Sequence, residues 1–109
     1  MKLSIGLSYK MDSLAKRGFL GLMVLAEVKK KPQTTYELIK SIQKAYGFRP
    51  YVPTIYITTK LLEVSGFVKS TPGRSSSRYG KIISITEKGE DFLKDGVSSL
   101  LELCKRLST

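Results

Sequence analysis

Signals that start and stop helices constrain this chain more than any other feature, because they divide residues 12–66 into three short helices. Asp12 or Ser13 can cap a first helix that runs to about Val28. The Lys-Lys-Lys-Pro sequence at 29–32 then ends it, since proline lacks the backbone N–H that a continuing helix needs. The apolar spacing within this segment predicts a central, buried helix.

Two further helices follow at short intervals. Thr34 and Glu37 form a capping-box pair at the start of the second, and Gly47 is a natural C-terminal stop. The third is expected to begin near Pro53, because proline is tolerated in the first turn, and to end at Gly66. The sequence therefore predicts two helices joined by a turn between residues 34 and 66.

The apolar spacing also assigns an inner face to each of these helices. On the second helix, the residues that recur at helical spacing are Tyr36, Ile39, Ile42 and Tyr46. On the third helix, Ile55 and Leu62 share one face, with Thr59 between them. The positions of the third helix that are left for a ligand are Pro53, Thr54, Ile57, Thr58 and Lys60.

Two short strands joined by a basic loop follow the third helix. Residues 67–70 and 79–85 have the composition of strands, and the loop 71–78 is too polar to pack against a core. Three helices, a strand, a basic loop and a second strand form the order of a winged helix-turn-helix. We therefore expect an α+β fold, mainly α, with a two-stranded wing.

The remaining segments flank this domain. A chain of 109 residues accommodates one domain with a modest core, which we place at 12–86. Residues 1–11 form a short N-terminal arm whose alternating apolar residues predict a strand, although a frayed tail fits equally well. Residues 87–109 are expected to form a C-terminal dimerisation helix.

Positive charge is concentrated in the helix-turn-helix and the wing. Between Lys29 and Lys81 the chain has eleven lysine and arginine residues but only Glu37 and Glu63 as acids, a surplus of nine out of a net charge of +10. Clustered cations bind DNA by releasing counterions from its phosphates, and a helix with a basic loop can enter a groove. The alternative is a charged surface that only keeps the domain soluble, but that does not require the acids to lie elsewhere.

The chain lacks the residues of most enzymatic sites. It contains no histidine and a single cysteine, Cys104, so histidine-based triads and paired-cysteine zinc sites are excluded. A group of four acids could bind a hard cation, but at the start of a helix such acids more often complement the macrodipole. These acids are Glu87, Glu90, Asp91 and Asp95. We expect no enzymatic activity, no cofactor and no metal.

The expected location is the cytoplasm, without contact with a membrane. No apolar run approaches the ~20 residues that a membrane-spanning helix needs. The N-terminus lacks the apolar segment and cleavage site of an export signal.

Several short motifs follow one another along the chain. They are Tyr-Glu-Leu-Ile-Lys at 36–40, Pro-Thr-Ile-Tyr at 53–56, Lys-Leu-Leu-Glu at 60–63, Gly-Phe-Val at 66–68, Tyr79, and Ile-Thr-Glu-Lys-Gly at 85–89. In order and spacing, over roughly residues 17–93, they resemble the PadR family of transcriptional regulators. The Thr-Ile-Tyr segment is the most discriminating of them. Two positions depart from the family pattern, because Thr59 stands where a core leucine is usual and Pro53 where glycine is usual.

The resemblance implies a dimeric repressor that inserts its third helix into successive major grooves while the wing contacts the backbone or the minor groove. Independently, Thr54, Thr58 and Lys60 carry groups that can bond base edges or phosphates. Tyr56 resembles the family tyrosine and is either a phosphate contact or a core phenol. The residues expected to contact DNA are Thr34, Thr35, Tyr51, Thr54, Tyr56, Thr58, Lys60, Lys69, Arg74, Ser75, Ser76 and Arg78.

The C-terminal segment has the spacing of a coiled-coil seam. After a cap at Thr86, apolar residues advance by steps of 4, 3, 4 and 3, which favours pairing with a second copy. These expected interface residues are Leu93, Val97, Leu100, Cys104 and Leu107. A helix folded back onto its own domain is the alternative, because two heptads are too few to assemble alone.

Together these patterns predict a homodimeric, sequence-specific regulator of transcription that binds double-stranded DNA at a palindromic operator, with repression as the expected effect. An architectural protein that coats DNA without sequence preference has the same charge requirement and stays open. So does an interaction module that binds an acidic protein partner. A small-molecule effector has no support, since the chain lacks tryptophan and gives no clear sign of an aromatic pocket.

Overall fold

The computed structural model describes residues 19–73, 77 and 79–109. Within these residues it contains four helices and a two-stranded antiparallel sheet, which confirms the winged helix-turn-helix expected from the sequence. The elements in chain order are α1 (Leu20–Lys30), α2 (Thr35–Tyr46), α3 (Val52–Val64), β1 (Val68–Thr71), β2 (Ile82–Ile85) and α4 (Glu87–Leu107).

α1 lies in the centre of the fold, as its apolar spacing predicts. Its buried residues include Val24, Leu25 and Val28. The helix ends at Lys30 rather than at about Val28, and the extended backbone of the next residue leads into Pro32. The predicted caps at residues 12 and 13 and the predicted arm at 1–11 lie outside the described residues.

The ends of α2 are those predicted. The backbone N–H of Glu37 donates to the Thr34 hydroxyl at 3.3 Å, and the Thr34 N–H donates to the Glu37 carboxylate at 2.9 Å, so the capping box is complete. Gly47 ends the helix with a left-handed backbone, φ 76°, which favours glycine. Both signals are local, and both specify the helix that the sequence predicts.

The prediction that Tyr36 lies on the inner face of α2 is wrong. Its side chain is 53% exposed, whereas Leu38, Ile39 and Ile42 are buried together with Thr35. At about 100° per residue, Thr35, Leu38, Ile39 and Ile42 fall within about 100° of the helix circumference, and Tyr36 lies ~60° beyond Ile39, outside that buried stripe.

α3 begins one residue before the predicted start, with Pro53 in its first turn and Tyr51 as the N-terminal flanking residue. Ile55, Thr59 and Leu62 form its buried face. The Thr59 hydroxyl donates to the backbone oxygen of Tyr56 at 2.9 Å. That bond satisfies a polar group at a position where leucine is usual in the family, so the threonine packs in the core without an unpaired hydroxyl.

The second strand of the wing is shorter than predicted. A residue from another part of the chain also pairs with this strand. Val68 pairs with Ile85 and Thr71 with Ile82, so β2 begins at Ile82 rather than at residue 79. Gln33, in the turn between α1 and α2, exchanges two backbone hydrogen bonds with Ile83, at 3.1 and 2.8 Å. This bridge attaches the base of the wing to the helix-turn-helix.

A buried polar network fixes the helices around that bridge. The carboxylate of Glu27, on α1, accepts from the Lys30 ammonium at 2.9 Å and from the Tyr46 hydroxyl of α2 at 3.4 Å. The Gln33 side-chain amide donates to the Glu27 backbone oxygen and accepts from Ser41. Because a buried carboxylate is stable only when its oxygens are bonded, the network favours one arrangement of α1 and α2.

Candidate nucleic-acid interface

α3 exposes a long face beside the wing. Tyr51 and Thr54 are exposed at its N-terminal end, and the Thr58 hydroxyl donates to the Thr54 backbone oxygen at 2.8 Å. A hydroxyl that has used its proton in this way still accepts hydrogen bonds. Thr58 therefore presents an acceptor, and Thr54 a hydroxyl that can donate or accept, on one edge of the helix.

Three tyrosine rings join α2, α3 and the wing. The Tyr79 ring, at the base of the wing loop, lies edge-on to Tyr56 of α3, with centroids 5.4 Å apart, and to Tyr36 of α2, with centroids 5.9 Å apart. Edge-to-face pairs of this kind add to the stability gained by burial. Tyr56 is thus packed within the protein as a half-buried side chain.

Lys60 is held at the junction between α3 and β1. Its ammonium lies 3.3 Å from the Glu63 carboxylate and 5.7 Å from the centre of the Tyr56 ring. Glu63 also accepts from the Ser70 hydroxyl and, at 3.2 Å, from the Ser70 backbone N–H. α3 and β1 are therefore linked through one carboxylate.

These bonds change the acidity of Glu63. The Ser70 hydroxyl contributes most, followed by the Lys60 ammonium and the Ser70 N–H, and together they lower the pKa of Glu63 against the opposing effect of partial burial. The carboxylate is consequently ionised at neutral pH and stays so into mildly acidic solution.

Two further lysines, Lys81 and Lys69, differ in their position relative to this junction. Lys81 lines the same small cavity as Lys60, Glu63 and Ser70, between α3 and the sheet. Lys69 lies on the other face of the sheet, because strand residues alternate and its neighbours Val68 and Ser70 face the domain. The structure therefore brings Lys60 and Lys81 together and places Lys69 apart from them.

Thr34 and Thr35 have different surroundings. Thr34 caps α2 and lines a half-open groove of about 520 Å³ with Tyr36, Ser77 and Tyr79. Thr35 is only 2% exposed, so its hydroxyl faces the interior and is not on the surface that a phosphate could approach. We therefore correct the prediction that the Thr35 side chain contacts DNA.

Four predicted wing contacts, Arg74, Ser75, Ser76 and Arg78, lie outside the described residues. The chain on either side of them is described. Gly80 donates its N–H to the Ser77 backbone oxygen at 3.0 Å, and Gly73 approaches Gly80 so closely that an added Cβ atom would lie 1.9 Å from the Gly80 oxygen. The base of the wing loop is thus closed by two glycines.

The predicted dimer residues of α4 divide into two groups. Leu93 is 8% exposed and packs in the core of its own domain, so its assignment to a subunit interface is wrong. Val97, Cys104 and Leu107 are exposed, and Leu100 is half-buried. Heptad spacing alone could not separate the two groups, because a residue that faces its own core and one that faces a partner can share a helical stripe.

Sequence reasoning missed five residues of this surface. Tyr36 and Tyr79 take part in the ring cluster, and Lys81 lies beside Lys60. Leu61 and Val64 are exposed on α3 in line with Ile57. Helical spacing in the sequence could have identified Leu61 and Val64. They follow Ile57 by four and seven residues and so share its side of the helix, away from Ile55 and Leu62.

The described part of the chain gives no sign of a metal centre or a membrane span. Its histidine, cysteine, aspartate and glutamate residues form no group of three or more that could hold a metal ion. None of its helices is both long and apolar enough to cross a bilayer.

Comparison with known proteins identifies the family. The model of the transcriptional regulator PadR-like family matches residues 24–95. No curated protein sequence matches the chain.

Solved structures agree with that match. A PadR family transcriptional regulator from Eggerthella lenta has a TM-score of 0.84 and 23% identity, with 99% of this chain and 95% of that chain covered. A PadR family transcription regulator from Clostridium difficile has a TM-score of 0.71 and 23% identity, with 83% of this chain and 95% of that chain covered. A candidate transcriptional regulator from Thermoplasma acidophilum has a TM-score of 0.71 and 30% identity, with 84% of this chain and 88% of that chain covered. The matching family consists of transcriptional regulators rather than enzymes. The chain belongs to this PadR-like family.

Proposed function

We propose that the protein is a homodimer that binds a palindromic DNA operator through α3 and the wing, and that it represses transcription from the adjacent promoter. The observation that carries this proposal is the packing of the Tyr79 ring against Tyr56, beside Lys60. It joins a helix with a long exposed face to the base of a basic loop, which is the arrangement that contacts a groove and its flanking phosphates.

Within this surface we assign two kinds of contact. Thr54, Thr58 and Lys60 lie on α3 and are proposed to bond base edges, because hydroxyl and ammonium groups match the polar atoms of the major groove. Contacts to the phosphate backbone are proposed for Thr34, Tyr51, the Tyr56 hydroxyl, Lys69 and Lys81. The first kind sets sequence preference, and the second sets affinity and register.

Arg74, Ser75, Ser76 and Arg78 complete the proposed surface on the strength of the sequence. Two arginines and small hydroxyl residues between the wing strands suit a phosphate backbone or a narrow minor groove. We assign them to the phosphate contacts that all DNA sequences share.

The second half of α4 supports the proposed dimer. Every residue from 101 to 109 is exposed, and they include Leu101, Leu103 and Leu107, the last at 77%. A second copy would cover these leucines and place two recognition helices about one DNA turn, ~34 Å, apart. Such spacing requires an inverted repeat in the operator, and a dimer bound over a promoter would exclude polymerase.

Selection from a random duplex library at ~150 mM salt tests the proposal, because nonspecific phosphate binding is already weakened there. An inverted repeat with half-sites about one turn apart would support it. Binding without a recovered motif would favour an architectural protein, and lack of binding would point to a protein partner. Repression is tested separately, by transcription in vitro from a promoter that carries the recovered repeat.

A further inference from the structure

The outward face of α3 is apolar. Ile57, Leu61 and Val64 are 58%, 65% and 85% exposed, and their spacing by four and three residues places them in one stripe along the helix. Single exposed apolar side chains are ordinary on a protein surface. Three on successive turns of one helix form a continuous surface that a binding partner would cover.

This stripe lies where α3 would meet a ligand. At 100° per residue, it falls opposite the buried face of Ile55, Thr59 and Leu62. Thr54 and Lys60 border it on its two sides. A partner that engages Thr54 and Lys60 therefore also covers the apolar stripe.

Charge favours DNA over an apolar protein partner. The region that contains the stripe has a surplus of nine positive charges, and Lys60 and Lys81 lie on its wing side. Such a surface attracts a polyanion. Aliphatic side chains neither donate nor accept hydrogen bonds, so Ile57 and Leu61 cannot bond phosphates or the polar base edges. The apolar group that the major groove offers them is the C5-methyl of thymine.

We propose that Ile57 and Leu61 recognise thymine methyl groups in the major groove, so that the preferred half-site carries thymines where α3 enters. This inference rests on the proposed function, because it requires α3 to lie in the major groove. It adds an apolar basis for sequence preference to the hydrogen bonds of Thr54, Thr58 and Lys60. Val64, the last residue of the helix, extends the same stripe.

Replacing thymine by uracil tests this directly, since it removes the methyl and leaves base pairing and charge unchanged. Fluorescence anisotropy would compare the operator duplex recovered by the random-library selection with the same duplex carrying dU at every dT. We expect the wild-type protein to bind the dU duplex about fourfold more weakly for each methyl that it contacts. Ile57→Ala and Leu61→Ala should each reduce this difference, because alanine is too short to reach the methyl.

Ile57→Leu is the matched control and should keep the difference, since it conserves apolar volume on an exposed position. Equal binding of the dT and dU duplexes by the wild-type protein would overturn the inference and leave the stripe to an apolar protein partner. A difference that persists undiminished in both alanine variants would overturn it as well. Failure of the selection to recover any bound sequence would overturn the proposed function, whereas an operator bound equally well in its dT and dU forms overturns this inference alone.

Discussion

The ring of Tyr79 at the base of the wing stands perpendicular to the ring of Tyr56 on α3, with their centroids 5.4 Å apart. Tyr79 also meets Tyr36 of α2 at an interplanar angle of 73°. One side chain thus contacts both helices of the helix-turn-helix, and the orientation of the wing relative to α3 depends on it.

Removal of the Tyr79 ring should loosen the wing. Each aromatic pair contributes about 0.5–1.5 kcal/mol beyond area burial, so Tyr79→Ala should lower the free energy of unfolding by about 2 kcal/mol. Tyr79→Phe keeps both ring contacts and should remain close to wild type. Urea denaturation followed by circular dichroism measures both variants.

The exposed Tyr51 provides the control for this prediction, and Tyr51→Ala should change stability by less than about 0.5 kcal/mol. Equal destabilisation by Tyr79→Ala and Tyr79→Phe would mean that the hydroxyl, rather than the ring, secures the wing.

The carboxylate of Glu63 should make stability depend on pH. Its pKa is lower in the folded protein than in the unfolded chain, mainly because of the Ser70 hydroxyl. Its contribution is therefore complete above the ordinary carboxyl pKa of about 4.3 and disappears as pH falls through the lower folded value. At neutral pH, Glu63→Gln should cost about 1 kcal/mol, since the group is partly exposed.

Unfolding measured from pH 7 down to pH 3 would test this, with Glu102→Gln as the control. Glu102 forms an exposed pair with Arg106 and should contribute little at any pH. The gap between wild type and Glu63→Gln should narrow as the solution becomes acidic, and a constant gap would contradict the linkage.

Local signals account for most of what the sequence predicted correctly. The caps at Thr34 and Thr86 and the stop at Gly47 each depend on a few neighbouring residues, and all three occur as expected. The contacts of Tyr79 with Tyr36 and Tyr56 join distant parts of the chain, so no local pattern predicts them. Leu93 shows the limit of periodicity, because its spacing fits a dimer seam while its side chain packs in its own core.

Close approach between α4 and the turn before β1 should make Gly89 intolerant of substitution. A Cβ atom there would lie 2.0 Å from the Phe67 backbone oxygen and 2.9 Å from a side-chain carbon of Ile85. Gly89→Ala should therefore lower the free energy of unfolding by about 1–3 kcal/mol, the usual cost of overpacking.

Gly21 is the matched control, because it lies in α1 and, apart from its neighbours along the helix, no residue that the structure describes comes within 4 Å of an added Cβ. Gly21→Ala should raise stability by up to about 1 kcal/mol, since alanine has the higher helix propensity. Thermal denaturation of the two variants should thus give shifts of opposite sign. A Gly89→Ala protein as stable as wild type would contradict the close packing at Phe67.

The exposed end of α4 gives the last prediction, on assembly. Leu101→Lys places a charge among the leucines proposed to face a second copy, and it should sediment as a monomer under conditions in which the wild type sediments as the proposed dimer. The stability of the single subunit should not change, because Leu101 is exposed on the surface of that subunit.

Ser99→Lys is the control. It adds the same charge at an exposed polar position of α4 and should remain dimeric. Operator affinity should fall in the first variant alone, since separate subunits lose the advantage of binding two half-sites together. A Leu101→Lys protein that still sediments as a dimer would place the subunit contact elsewhere on the molecule.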